Sequence, residues 1–130
     1  MTNFEMVKEF HEKFKVDVKK PKIYELLTLR QHLIEEEFAE VSAEFLIALS
    51  DVVRLKEVSN EKHILKELVD LLYVIYGTAV SLGYDIDGAF KEVHRSNLSK
   101  LDDNGEPLFR EDGKVLKSSN YTPADVGDYV

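Results

Sequence analysis

Four carboxylates in two pairs are the side chains best placed to do chemistry: Glu37 with Glu40, and Glu67 with Asp70. Within each pair the residues are three apart, so on a helix they are neighbours on one face. Two such pairs turned toward each other would repel unless a cation sat among them. Oxygen ligands without His or Cys select Mg²⁺ or Mn²⁺ over zinc. Taken singly, Glu35-Glu36-Glu37 reads as a solvated helix face, and Glu67 has Lys62 and Lys66 nearby as ordinary ion-pair partners. Asp70 reads differently. It precedes Leu71-Leu72-Tyr73-Val74-Ile75-Tyr76, a run apolar enough to predict a helix buried almost all round. A carboxylate there must be paired or must bind something. The two spacings together therefore point to a metal cage.

The elements that must position these acids read as helices. Thr2 or Asn3 can cap a first helix running to about Phe14, with Phe4, Val7, Phe10, His11 and Phe14 at helical spacing. Pro21 suits the start of a second helix. From Lys22 to about Arg54 there is neither Gly nor Pro, and Ile23, Leu27, Ile34, Val41 and Ala48 form an apolar stripe that includes Glu37. A bend or break near Ser50-Asp51 is expected. Ser59 or Asn60 caps a third helix over about Glu61–Leu82, stopped by Gly83. Asp85 or Asp87 caps a fourth, ending near Leu98. The link between the second and third helices is short enough for antiparallel neighbours, which would face the two acidic pairs. Beyond residue 100 the turn dipeptides Asn104-Gly105 and Asp112-Gly113 predict an irregular tail, in which Leu108-Phe109-Arg110 and Lys114-Val115-Leu116-Lys117 could pair as a short hairpin. The expected class is all-α: one domain over 1–130, with a helical part over about 2–100 and a tail over about 101–130.

Bulk properties narrow the partners. The formal net charge is −8, which disfavours nucleic acid or an anionic membrane as the main partner and is permissive of divalent cations. The absence of cysteine excludes disulfides, thiolate metal sites and Cys nucleophiles. No apolar run reaches the roughly 20 residues of a bilayer span and the first residues lack a signal-peptide core, so the plain expectation is a cytoplasmic protein. The histidines His11, His32, His63 and His94 show no close ligand spacing. Arg30 falls on the second helix's apolar stripe and could reach a carboxylate or a substrate. Tyr73, Tyr76 and Phe38 could stack a base, although aromatics at helical spacing more often build a core or an interface. Asp102-Asp103-Asn104-Gly105 lacks the ligand spacing and closing Glu of a calcium loop and reads as a turn.

Glu36-Glu37-x-x-Glu40 followed by Glu67-x-x-Asp70 resembles the signature of the all-α nucleoside triphosphate pyrophosphohydrolases, a superfamily that includes MazG proteins, dimeric dUTPases and phosphoribosyl-ATP pyrophosphohydrolase. The resemblance covers about Ile23 to Lys100. It includes the helix end Glu92-Val93-His94-Arg95-Ser96-Asn97-Leu98-Ser99-Lys100, and the tail through Asp112–Lys117 and Asn120-Tyr121 is similar to that of small stand-alone members. Twenty-six residues separate Glu40 from Glu67, long for the family; the extra length extends the second helix or forms a loop. The resemblance implies an antiparallel bundle completed by oligomerisation, a homodimer or homotetramer, with Mg²⁺ (or Mn²⁺) held by Glu37, Glu40, Glu67 and Asp70. Glu36 would be a neighbouring support or a candidate base, a role open to Glu37 as well. Asn97 and Lys100, with Arg95, would meet the nucleotide or its phosphates. The implied reaction is cleavage of a (d)NTP between its α- and β-phosphates to a monophosphate and pyrophosphate. Phosphoribosyl-ATP hydrolysis is the nearest alternative, ranked second because the arginine-rich C-terminal segment expected of that branch is not evident. A catalytically silent helical interaction module is the alternative of a different class.

Overall fold

The first helix is fixed at both ends by local chemistry. The Thr2 hydroxyl accepts from the Glu5 amide at 3.1 Å, and the Glu5 carboxylate accepts from the Thr2 amide at 2.7 Å. This reciprocal box starts α1 (Asn3–Phe14), and Lys15 ends it in the left-handed region at φ 58°. The second helix, α2 (Tyr24–Val53), begins later than Pro21 predicts. The Ile23 amide turns back to the Pro21 carbonyl at 2.9 Å, and Ile23 is the N-cap without a side-chain bond. The helix runs unbroken through Ser50-Asp51. Asp51 instead closes the connector to the next helix, accepting from the Ser59 amide and hydroxyl at 2.9 and 2.6 Å. The third helix, α3 (Glu61–Leu82), ends at Gly83, whose φ of 78° favours glycine.

The computed structural model describes residues 1–130, in two units, Met1–Gly83 and Tyr84–Val130. In the first unit α3 is the central element, with α1 and α2 both packed on it. Val7, Leu26, Val41, Ala48, Ala79, Val80 and Leu82 are its buried apolar residues. The link between α1 and α2 is tied to the end of α3, because the amides of Lys19 and Lys20 donate to the carbonyls of Val80 and Ser81 at 2.9 Å.

In the second unit Asp85 caps α4 (Ile86–Leu98) by accepting from the Gly88 amide. The predicted hairpin is present as β1 (Leu108–Phe109) and β2 (Val115–Leu116), antiparallel, with Leu108 opposite Leu116 and Phe109 opposite Val115. The chain then returns along α4, where the hydroxyl of Ser96 donates to the Thr122 carbonyl at 2.8 Å. A 3-10 turn at Gly127–Tyr129 closes the unit through the Asp85 amide and the Tyr129 carbonyl. The Asp102 region is a turn, its carboxylate accepting from the amides of Asn104 and Glu106. No helix is long and apolar enough to cross a membrane.

One expectation is corrected here. Asp70 does not lie inside a helix buried all round: its side chain is 36% exposed and pairs with the Lys66 ammonium at 2.6 Å. Burial along α3 is confined to Gly77 and Ala79–Leu82. The apolar residues of α3 occupy several faces, and only those turned to α1 and α2 are covered. Leu65, Val69 and Leu72 remain exposed, as do Phe38 and Leu46 on α2.

Candidate active site

Glu37 and Glu40 on α2 meet Glu67 and Asp70 on α3, each offering a carboxylate oxygen within 4.8 Å of the others. The i, i+3 spacing within each helix and the antiparallel packing of the two helices produce this arrangement. Oε2 of Glu37 and Oε2 of Glu67 are buried without any hydrogen-bond donor. Buried acceptors are seldom left unpaired, and two in one cluster point to a missing positive partner. The Glu40 carboxylate beside Glu67 is the main cause that holds the Glu67 carboxyl above its ordinary value of 4.5, with desolvation adding to it. A proton held on Glu67 relieves the repulsion between the two. A divalent cation would do the same work better, supplying charge to all four groups at once, and the set of hard oxygens fits one.

Lys66 sits at the edge of the cluster. Its ammonium reaches Asp70 at 2.6 Å and Glu67 at 3.4 Å, and those two carboxylates raise its pKa, Asp70 most. The Lys66 side chain is 64% exposed, so this contact is held weakly against solvent. It neutralises one side of the cluster and leaves the inner oxygens of Glu37 and Glu67 unmatched. Glu36 is exposed next to Glu37 and is not among the four clustered acids.

The other predicted residues have distinct surroundings. Arg95, in the second unit, donates to Glu92 through Nε and Nη2, to Thr122 Oγ1 through Nη1 at 2.5 Å, and to the Pro123 carbonyl at 3.2 Å. These bonds fasten the tail to α4, and the Arg95 guanidinium holds Glu92 down at about 2. Asn97 is exposed and Lys100 half-buried near the end of α4. Tyr73 and Tyr76 line a cleft of about 340 Å³ between α1 and α3 together with Met6, Val7, Val69 and Leu72. Phe10 stands edge-on to Tyr73 at 5.6 Å. Phe38 is 61% exposed.

Arg30 reaches neither a carboxylate nor the acidic cluster. It is 5% exposed, and its guanidinium donates to the Val74 carbonyl at 2.9 Å and the Thr78 hydroxyl at 3.1 Å. His11 is buried beside it, its Nδ1 bonded to the Asp17 carbonyl at 2.8 Å. Gly77 makes room for both: a Cβ there would lie 2.6 Å from Arg30 Nη2 and 2.9 Å from His11 Nε2. Asn60, expected only as a cap, has a further contact that its sequence position does not announce. It occupies the cap position of α3 but turns its amide to Glu44, donating to the main-chain carbonyl at 2.8 Å and to Oε2 at 2.5 Å. The available signal was the seven-residue spacing that joins Arg30, Glu37 and Glu44 on one helix and Asn60, Glu67 and Val74 on the other.

The profile of the phosphoribosyl-ATP pyrophosphohydrolase family matches residues 7–97, which hold all of α2 and α3 and most of α1 and α4. The chain belongs to that family. It is therefore a member of the MazG-like nucleotide pyrophosphohydrolase superfamily and a hydrolase acting on phosphoric anhydrides, and the alternative of a silent helical module falls away. The matched span contains the whole acidic cluster. Comparison with curated proteins gives no significant match.

Proposed function

We propose that the chain is a Mg²⁺-dependent pyrophosphohydrolase that cleaves (d)NTPs between the α- and β-phosphates, with Glu37, Glu40, Glu67 and Asp70 as the metal ligands. The observation that carries this reading is the pair of buried, donorless oxygens on Glu37 and Glu67 within a cluster of four acids. Mg²⁺, or Mn²⁺ in its place, would offset the charge of carboxylates and polyphosphate and polarise the phosphoryl group. The protein's own part is to hold four carboxylates on two facing helices, so that little rearrangement is needed when the reaction begins. Water attacks phosphorus, the bond to the α–β bridging oxygen breaks, and the monophosphate and pyrophosphate leave. A carboxylate takes the water's proton, and Glu36 and Glu37 are the two candidates for it. Asn97, Lys100 and Arg95 are the proposed phosphate contacts. The firm pairing of Arg95 with Glu92 and Thr122 makes it the weakest of the three. The apolar cleft between α1 and α3, walled by Val69 and Tyr73, suits a nucleobase.

Phosphoribosyl-ATP is the second reading, favoured by the family whose profile the chain matches. Against it, residues 84–130 hold only Arg95 and Arg110 as arginines, and each is paired with a carboxylate of its own unit. A panel of canonical and modified (d)NTPs and phosphoribosyl-ATP, scored by kcat/KM with Mg²⁺, separates the two. A preference for phosphoribosyl-ATP by orders of magnitude would replace the first reading with the second.

Self-association belongs to the same reading. Leu46, Leu65 and Phe38 are exposed at 68%, 64% and 61%, and Leu49 and Leu72 at 59% and 48%. So many apolar residues on α2 and α3 exceed what a monomer's surface usually carries. A second copy of the chain, as homodimer or within a homotetramer, would cover them, and the protein is expected in cytoplasm-like reducing conditions. Light scattering coupled to size exclusion reads the stoichiometry directly; a monomer at micromolar concentration would contradict it.

A further inference from the structure

Two buried polar side chains flank the acidic cluster, one on either side, and neither is explained by catalysis or by ordinary core packing. Arg30 is buried with no ion-pair partner, and desolvation is the main cause lowering its pKa. Asn60 is 6% exposed, and its Oδ1 has no donor. Apolar residues of similar size at both positions would ordinarily serve stability as well or better. Their placement is regular. On α2, Arg30, Glu37 and Glu44 are spaced by seven; on α3, Val74, Glu67 and Asn60 are spaced by seven in the opposite direction. The contacts follow that ladder: Arg30 to Val74 and Thr78, Glu37 and Glu40 with Glu67 and Asp70, and Glu44 to Asn60. Seven residues drift by only about 20° around a helix, so the three rungs lie nearly on one line. Each outer rung stands about 10 Å from the cluster along the helix axis.

We propose that Arg30 and Asn60 are positioning residues that lock the register of α2 against α3 and thereby hold the four carboxylates at metal-binding separation. This rests on the reading of the cluster as the metal site. The surrounding apolar contacts specify register poorly, because Leu, Val and Ala side chains tolerate a slide along the groove. A directional bond to a main-chain carbonyl does not. Arg30 grips the Val74 carbonyl, and Asn60 grips the Glu44 carbonyl. Buried polar groups that fix register at a cost in stability are well attested between paired helices. A slip of one residue moves a helix by about 1.5 Å, enough to spoil a cluster whose oxygens lie within 4.8 Å of one another. Gly77 belongs to the same device, since the Arg30 guanidinium occupies the space a side chain there would take.

The test measures Mn²⁺ affinity by electron paramagnetic resonance on the full chain, with helicity and melting followed alongside, in Arg30→Met, Asn60→Leu, the double variant and Glu67→Gln. Each single variant should keep its helicity and bind Mn²⁺ on the order of 10-fold more weakly. The two positions are about 21 Å apart along the helices, a separation at which independent losses multiply. The double variant should lose more than the product of the single losses, because one pin still sets the register when the other is gone. If Arg30→Met melts below the assay temperature, Arg30→Lys replaces it, keeping the charge but not the two-branched grip. Glu67→Gln losing Mn²⁺ while both pin variants bind as the wild type does would overturn the register role and leave the metal site standing. Glu67→Gln binding at wild-type affinity would overturn the metal-site reading and this inference with it.

Discussion

Gly77→Ala is the substitution for which local propensity and tertiary structure predict opposite signs. Gly77 lies inside α3, where alanine is favoured over glycine by about 1 kcal/mol. Against this, the new Cβ would stand 2.6 Å from Arg30 Nη2 and 2.9 Å from His11 Nε2. The far end of an arginine can swing away, but here that means giving up the bond to the Val74 carbonyl at 2.9 Å. A bond from a charged donor contributes roughly 1.5–3 kcal/mol. The other way out is to lift α1, exposing Val7, which is 3% exposed, at a cost of roughly 1.5–3 kcal/mol. Either route outweighs the propensity gain, so the variant should be less stable by about 0.5–2 kcal/mol. Urea unfolding followed by circular dichroism, in chelator and at fixed protein concentration, reads this. With m of about 2 kcal/mol/M, the midpoint should fall by roughly 0.3–1 M. An unchanged or raised midpoint would show that Arg30 and His11 yield freely and that Gly77 has no packing role.

Glu67 is held above 4.5 chiefly by Glu40, so in its absence of metal the folded protein holds its proton more tightly than the unfolded chain does. Stability in chelator should therefore decline as pH rises through the range above 4.5, and Glu67→Gln should melt progressively higher than wild type over that range. Saturating Mg²⁺ should reverse the order, raising the wild-type Tm and leaving the variant where it was. His11 has the opposite sense: desolvation by burial is the largest cause lowering its pKa from 6.5, so its contribution is present above 6.5 and is lost as pH falls below it. The slope of Tm between about pH 5 and 7 should be flatter in His11→Gln than in wild type. Lys66 competes with a cation for Asp70 and Glu67; Lys66→Met should tighten Mg²⁺ binding a few-fold by titration calorimetry, and weaker binding would mean that the lysine helps to build the site.

The helices and their stops were readable because the determining signals are local. Caps and stops act within a few residues, and the structure takes Thr2 over Asn3, Gly83, and Asp85 over Asp87 from the positions the sequence offers. The acidic cluster was readable for the same reason, since an i, i+3 pair on each of two antiparallel helices leaves few ways to arrange four acids. The surroundings of Asp70 were not readable. Hydrophobicity marks residues that avoid water but does not say whether this chain or another copy covers them, and α3 is apolar on faces that α1 and α2 leave open. The contacts that Arg30 and Asn60 make were equally hidden. Their partners, Val74, Thr78 and Glu44, are 44, 48 and 16 residues away, and main-chain carbonyls carry no sequence signature.

The central claim is that these four carboxylates direct hydrolysis between the α- and β-phosphates. Phosphorus NMR of a dNTP turned over with Mg²⁺, by wild type and by Asp70→Asn, tests it most directly. The expected result is nucleoside monophosphate and pyrophosphate in equal amounts from the wild type, and neither from a variant of unchanged helical content. Orthophosphate with a diphosphate, or most of the turnover surviving in Asp70→Asn, would contradict it.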